Sequence, residues 1–356
     1  MALLEVKDLS VLLHTHRGSA AGVRNVSFSL ERGQTLGVIG ESGSGKTLCM
    51  LALMGLLPNN AEAQGRILFN GQQLVGASEQ DLCALRGDDI GMVFQEPMTA
   101  LDPLQRIGDQ VAEPLRLHRN MRRREALEHA AALLDRVGIP DAQQRLKDYP
   151  HQFSGGQRQR IMIAAALACD PDVLIADEPT TALDVTVQAQ ILDLLRDLVA
   201  ERGMALILIS HDLAVIARYT QQMLVLYSGG VVESGATAAV FARMAHPYTR
   251  ALLQARPRLD AARGTRLPTI PGQVPDLFAP PPGCRFADRC SRVQDDCRLA
   301  EPPMVALPAA SPIQRVCEGR VASAVAASME ALPPLAASGQ EAVRTVATTV
   351  WPAAAS

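Results

Sequence analysis

Leu36-Gly37-Val38-Ile39-Gly40-Glu41-Ser42-Gly43-Ser44-Gly45-Lys46-Thr47 passes from a short apolar run into a glycine-rich turn that closes on a lysine and a threonine. A continuous apolar run bounded by a turn is the pattern of a strand buried on both faces of a parallel sheet. Gly40 to Thr47 then satisfies G-x-x-x-x-G-K-[ST] between that strand and a helix starting near Lys46. The glycines let successive backbone N–H groups turn inward on phosphate oxygens, and the helix N-terminus adds partial positive charge. Lys46 is placed to reach β- and γ-phosphates, and Thr47 to set its hydroxyl on Mg²⁺.

Working outward, Val173-Leu174-Ile175-Ala176-Asp177 and Ala205-Leu206-Ile207-Leu208-Ile209 read as two more buried strands. The first ends in two acids, Asp177 suited to hold Mg²⁺ and Glu178 to polarise an attacking water. Paired carboxylates at a strand end are common, so they carry weight only beside the phosphate loop. Apolar residues at 187, 191, 194, 195, 198 and 199 form one helical stripe that should pack on the sheet. From Leu3 to about Ala255, short β-branched runs alternate with helical patterns, which predicts an α/β domain with parallel strands. Within it, residues from about 96 or 100 to 160 read as more helical. Arg122 to Val137 is charged and amphipathic, fit for a separate helical lobe, with Arg122-Arg123-Arg124 as its solvated face. Beyond Arg256 the sequence turns Pro-, Gly- and Arg-rich without periodicity, as a linker or small irregular domain over 256–320 would. From about Val321 to the last residue, 356, it is Ala-rich with Pro and Ser, the composition of a poorly ordered tail.

Composition removes several functions. Lys and Arg number 34 against 37 Asp and Glu, a formal charge of −3, so no bulk electrostatic pull toward nucleic acid or anionic lipid is present. Met1 to Asp8 lacks the basic and apolar regions of a secretory signal, which predicts a cytosolic protein. Ile161 to Cys169 and Ala205 to Ile209 fall short of the ~20 apolar residues that a spanning helix needs. Contact with a membrane is therefore expected only through another protein. Of the seven cysteines, Cys49, Cys83 and Cys169 stand singly in apolar or amphipathic surroundings, where a small buried hydrophobe is expected. Cys284, Cys290, Cys297 and Cys317 cluster, and in a reducing cytosol a cluster points to metal or redox chemistry before disulfides.

Phe153-Ser154-Gly155-Gly156-Gln157-Arg158-Gln159-Arg160 lies about twenty positions before Val173. It resembles the signature motif of ABC ATPases, in which a hydroxyl and glycine backbone at a helix start bind an anion. In that family the site, here Ser154, Gly155, Gly156 and Gln157, contacts the γ-phosphate of ATP held by the opposite subunit. Other elements follow in family order. Gln95 in Val93-Phe94-Gln95-Glu96-Pro97 resembles the Q-loop glutamine, which senses Mg²⁺ and water. Thr181-Ala182-Leu183-Asp184 resembles the D-loop, and His211 the switch histidine that meets the γ-phosphate. The family usually stacks adenine on an aromatic ring before the phosphate loop. Val11 to Arg17 contains no Phe, Tyr or Trp, leaving His14, His16, Arg17 or a leucine as the substitute.

The resemblance runs over nearly all of residues 3 to 320. Phe94 to Pro103, His246-Pro247-Tyr248-Thr249, Thr269 to Pro275 and Gly283 to Cys290 are similar to segments of the ATPases of dipeptide and oligopeptide importers. It implies a P-loop ATPase with a helical subdomain and a small C-terminal extension bearing the cysteines. It also implies a place on the cytoplasmic face of the inner membrane, with two permeases, a second and non-identical ATPase, and an extracytoplasmic solute-binding protein. Nickel or glutathione-like peptides are the alternative solutes. A soluble ABC ATPase acting on DNA or the ribosome is disfavoured by the neutral charge and by the lack of a coiled-coil insertion or a second ATPase domain. A regulator that binds ATP without hydrolysing it is disfavoured by intact Lys46, Asp177, Glu178 and His211.

The cysteine spacings are C-x5-C, C-x6-C and C-x19-C. Structural zinc sites usually offer closer pairs, whereas a [4Fe–4S] cluster tolerates irregular spacing in loop-rich segments. Unligated thiols are the third possibility. The resemblance implies the iron–sulfur cluster, acting to staple a segment too poor in periodic apolar sequence to form its own core.

Overall fold

A computed structural model of the chain describes residues 2–95, 100–181, 183–255 and 269–305. Glu96 to Thr99, Ala182, Cys317 and the expected tail lie outside these residues. Among the described residues ten strands form two sheets: β1 Leu4–Thr15, β2 Gly18–Leu30, β3 Thr35–Ile39, β4 Ala61–Phe69, β5 Gln72–Gln73, β6 Ile90–Val93, β7 Val173–Asp177, β8 Ala205–Ile209, β9 Gln222–Tyr227 and β10 Gly230–Ala236. The first sheet is antiparallel, ordered β2-β1-β4-β5. The second is ordered β10-β9-β3-β8-β7-β6 and is parallel from β9 to β6, with β10 added antiparallel at the edge.

The central strands are apolar on both faces because each face meets a different layer. Val173 and Ile175 of β7, with Ala205, Ile207 and Ile209 of β8, point into a core shared with the antiparallel sheet and the helix Lys46–Leu53. Their alternates, Leu174, Ala176, Leu206 and Leu208, point into a second core. That core includes Ile191, Leu195, Leu198 and Val199 of the helix Val185–Arg202, which realises the expected stripe, while Val187 and Leu194 are only partly buried. Period-2 alternation thus exists in the packing but is invisible in composition.

The helices between residues 107 and 136 are continuous with this second core. Helix Arg123–Arg136 buries Ala126, Ala130, Ala131 and Leu134, and helix Ile107–His118 buries Ile107, Val111, Ala112 and Leu115. Arg124 is solvated, while Arg123 crosses to pair with Asp109 on the neighbouring helix at 2.8 Å. The cysteine expectation needs one correction. Cys49 and Cys169 are buried, but Cys83 is exposed on the short helix Glu79–Leu85, its thiol donating to Glu79 Oε1 at 3.3 Å. That helix buries none of its residues, so an amphipathic-looking position carries no core role there.

Helix Leu213–Tyr219 lies so close to β3 that a Cβ on Gly37 would sit 2.6 Å from Ile216 Cγ2 and 2.8 Å from Thr220 Oγ1. Neither neighbour yields easily, since Ile216 is β-branched and Thr220 Oγ1 donates to the Ile216 carbonyl at 2.8 Å. Gly37→Ala is expected to destabilise the chain by about 1–3 kcal/mol through overpacking. An unfolding midpoint in urea equal to that of the unaltered chain would contradict this packing.

Candidate functional site

The carboxyl ends of β3, β7 and β8 face one side of the sheet, where strand-to-helix loops place polar side chains over an open edge. After β3 the chain turns through Gly43 (φ 76°) and Gly45 (φ 97°), left-handed conformations that residues with side chains resist, into the helix beginning at Lys46. Lys46 is 7% exposed, and its Nζ donates to the Gly40 and Glu41 carbonyls at 2.9 and 3.1 Å. Burial lowers its pKa, opposed by the charges of Glu178, Asp177 and Glu41. The ammonium therefore rests on its own loop, held by weak acceptors that phosphate oxygens can replace.

Asp177, at the end of β7, is buried and raised in pKa by desolvation, while a hydrogen bond with Thr47 opposes that shift. Its Oδ1 is buried without a hydrogen-bond partner. A hydroxyl beside an orphaned carboxylate oxygen is a hard oxygen donor set, so the residues fit Mg²⁺. Ser44 Oγ, in the phosphate loop, is likewise buried and without a partner.

Glu178 leaves the strand in the left-handed region, φ 46°, with its N–H donating to the Ile209 carbonyl at 3.1 Å. Three side chains from three segments converge on its Oε2. Gln95 Nε2, two residues past β6, donates at 3.2 Å. Thr181 Oγ1 donates at 3.0 Å, and His211 Nδ1, after β8, lies at 3.3 Å. Of the three residues expected to serve hydrolysis, Gln95 and His211 thus both meet Glu178. The hydrogen bond from Thr181 to Glu178 was not foreseen in the sequence, where Thr181 stood out only as the start of the D-loop segment Thr181 to Asp184.

Ser154 caps the helix Gly155–Ala166 through a reciprocal pair: its hydroxyl accepts from the Gln157 N–H at 3.3 Å, and Gln157 Oε1 accepts from the Ser154 N–H at 3.1 Å. Ser154 and Gly155 are exposed, and Gly156 lies against Val187 of the helix Val185–Arg202. Asp184 caps that second helix, accepting from the Val187 N–H at 3.0 Å. The signature residues and Asp184 therefore share one exposed surface, where their hydrogen bonds are spent on their own helix starts and not on the phosphate loop of the same chain.

The hairpin expected to offer an adenine partner is occupied elsewhere in part. His14 Nδ1 pairs with Ser19 Oγ at 2.8 Å. Arg17 forms an ion pair with Asp276 and lies 4.8 Å over the ring of Phe278, both from the C-terminal extension. His16 is exposed.

The cysteine expectation meets a limit in the extension. Cys284 and Cys297 are buried in the core beside Phe286, and the Cys284 N–H donates to the Cys297 carbonyl at 2.7 Å. Burial chiefly, with the neighbouring thiols Cys284 and Cys297, raises the pKa of Cys290. Among the described residues no group of three or more His, Cys, Asp or Glu side chains is arranged to hold a metal ion. Cys290 Sγ accepts from the Arg292 N–H at 3.4 Å, and Cys317, the expected fourth ligand, lies outside the described residues. No helix among the described residues is long and apolar enough to cross a membrane.

A phosphate loop with a carboxylate pair serves many nucleotide hydrolases; the capped helix start at Ser154, presented outward, is what an ABC-type ATPase adds. The comparisons agree. The ABC transporter family profile matches residues 23–181, and the profile of the oligopeptide/dipeptide transporter C-terminal region matches residues 232–297. The oligopeptide transport ATP-binding protein OppD of Escherichia coli (strain K12) is 50% identical over 85% of this chain and 89% of its own length. The dipeptide transport ATP-binding protein DppD of Bacillus subtilis (strain 168) is 49% identical over 81% of this chain and 86% of its own. Among solved structures, a dimeric ATP-binding cassette in a post-hydrolysis state with ADP and Pi aligns with a TM-score of 0.60 at 26% identity, covering 66% of this chain and 98% of that one. This chain belongs to the ABC transporter family, as an ATP-hydrolysing, ATP-binding subunit of its oligopeptide/dipeptide branch.

If Thr181 orients Glu178, Thr181→Val should lower ATP turnover by roughly tenfold, as loss of a hydrogen bond to a charged group implies, with ATP affinity unchanged. Steady-state hydrolysis alongside equilibrium binding checks this, and an undiminished kcat would remove Thr181 from the site.

Proposed function

We propose that this chain is the motor subunit that couples ATP binding and hydrolysis to uptake of dipeptides or oligopeptides through partner permeases. The reading is carried by the convergence of Gln95, Thr181 and His211 on Glu178 beside the phosphate loop, in a chain whose C-terminal region is of the peptide-transporter type. The relatives' names, as oligopeptide and dipeptide transport ATP-binding proteins, support the solute class. Nickel or glutathione-like peptides are the alternative cargo, because the motor itself does not bind the solute.

Gly40 to Thr47 wraps the triphosphate, with Lys46 leaving its loop carbonyls for the β- and γ-phosphates. Thr47, Asp177 and Gln95 would hold Mg²⁺, which supplies charge neutralisation between the phosphates when bound. Glu178, aligned by its three partners, orients the water in line with the γ-phosphorus, and His211 adds a donor toward the γ-phosphate. Ser154, Gly155, Gly156, Gln157 and Asp184 would face the triphosphate of a second ATPase subunit, which we take to be non-identical. Catalysis is then mainly positioning and electrostatic stabilisation. The motor would work on the cytoplasmic face of the inner membrane against two permeases, supplied by an extracytoplasmic solute-binding protein.

Glu178→Gln should bind ATP like the unaltered chain and nearly abolish both hydrolysis and peptide uptake in the assembled transporter. Undiminished hydrolysis by that variant would sink the assignment, and uptake of a different solute class would redirect it.

The proposed cofactor of the extension is a [4Fe–4S] cluster on Cys284, Cys290, Cys297 and Cys317, with zinc as the alternative. Support comes from the backbone hydrogen bond that brings Cys284 beside Cys297 and from the need of a short loop-rich segment for a staple. Protein purified without oxygen should be brown, with absorbance near ~400 nm and about four irons per chain. Colourless protein free of iron and zinc would leave the thiols as packing groups.

A further inference from the structure

Glu41, the first variable residue of the phosphate loop, is gripped from 248 residues away in sequence. Arg289, on the short turn Ala287–Arg289 next to Cys290, is 7% exposed. Its guanidinium donates to Glu41 Oε2 at 2.6 Å and to Oε1 at 2.9 Å, a two-pronged pairing. The remaining donors reach the Pro271 carbonyl at 2.9 Å and Tyr227 Oη at 3.3 Å. The backbone of Glu41 is held as well: its N–H donates to Tyr248 Oη at 2.8 Å, and its carbonyl accepts from Lys46 Nζ. Tyr248 is fixed in turn by aromatic contacts with Tyr227 and Phe286 at centroid distances of 4.7 and 5.4 Å. Glu41 is thus pinned at carboxylate, N–H and carbonyl, two of the three pins involving residues of the C-terminal region.

We propose that Arg289 is a positioning residue for nucleotide binding: by neutralising and fixing Glu41, it keeps the phosphate loop open to an anion. This rests on the reading of the chain as an ATP-binding subunit. Two physical effects combine. A carboxylate at the mouth of a phosphate cradle opposes a triphosphate unless its charge is matched. A loop already fixed in its binding shape also avoids the cost of ordering when the ligand arrives. Stability alone is a weak reason for such a pair, because removing both charges from water offsets most of their attraction. The extension has other ties to the cassette, Arg17 with Asp276 and Arg24 with Glu301 at 2.8 Å, so its attachment does not hang on Arg289.

The test uses the full chain and the non-hydrolysable analogue AMP-PNP with Mg²⁺, read by equilibrium binding. Arg289→Ala should raise Kd by roughly tenfold or more, the scale of leaving one half of a buried charge pair alone. Arg289→Lys, which keeps the charge but loses the fork, should fall between. The decisive variant is the double one, Arg289→Ala with Glu41→Gln: deleting the unmatched charge should recover most of the lost affinity, a response that a merely structural staple would not produce. The proposal is overturned if Arg289→Ala binds within twofold of the unaltered chain, or if the double variant binds no better than the single one. Should Arg289→Ala fail to fold, Tyr248→Phe decides, since it removes only the hydroxyl that holds the Glu41 N–H. A several-fold rise in Kd supports the pinning, and an unchanged Kd overturns it. Failure of the unaltered chain to bind AMP-PNP would be a different result, one that removes the functional reading itself.

Discussion

Three side chains meet on one carboxylate oxygen, and that meeting constrains the rest of the molecule. Gln95 leaves β6, Glu178 and Thr181 follow β7, and His211 follows β8, so their convergence on Glu178 Oε2 requires neighbouring parallel strands ending at one level. Parallel strands must be connected by crossovers, and the crossovers here are the helical lobe and the helix Val185–Arg202. Those helices bury one face of β7 and β8, while the other face packs on the antiparallel sheet and the helix Lys46–Leu53. The left-handed turn at Glu178 is the local cost of sending its side chain back over the strand ends.

The parts of this arrangement governed by short stretches of chain were legible in the sequence. β7 and β8 fall on the apolar runs at 173–177 and 205–209, because strands buried on both faces have no polar alternation to blur their limits. The phosphate loop was legible because it needs glycines, a lysine and a hydroxyl within eight consecutive positions. Contacts made across the fold were not. Nothing near Arg289 indicates Glu41, and nothing near Tyr248 indicates the N–H that its hydroxyl accepts. Cys83 failed for a related reason: helical spacing describes a face, and only the layer opposite decides whether that face is covered.

The hairpin before the phosphate loop joins these two kinds of information. Its lack of an aromatic residue is plain in Val11 to Arg17, and on that evidence alone a planar side chain among His14, His16 and Arg17 was the natural replacement. Arg17 is instead turned to Phe278 and Asp276, so a feature that looks local is completed by a segment more than two hundred residues later. The extension is therefore part of the cassette's surface on the side where the hairpin lies, with a second tie through Arg24 and Glu301.

The reciprocal cap at Ser154 has a bearing on selectivity. Its hydroxyl and the Gln157 side chain already occupy two of the donors that any incoming anion would use. An arriving ligand must displace a built-in tenant, and a neutral hydroxyl yields to a strongly charged oxygen far more readily than to a weakly charged one. In the proposed role the helix start would act as a threshold detector, idle toward feeble acceptors such as water and responsive to concentrated negative charge.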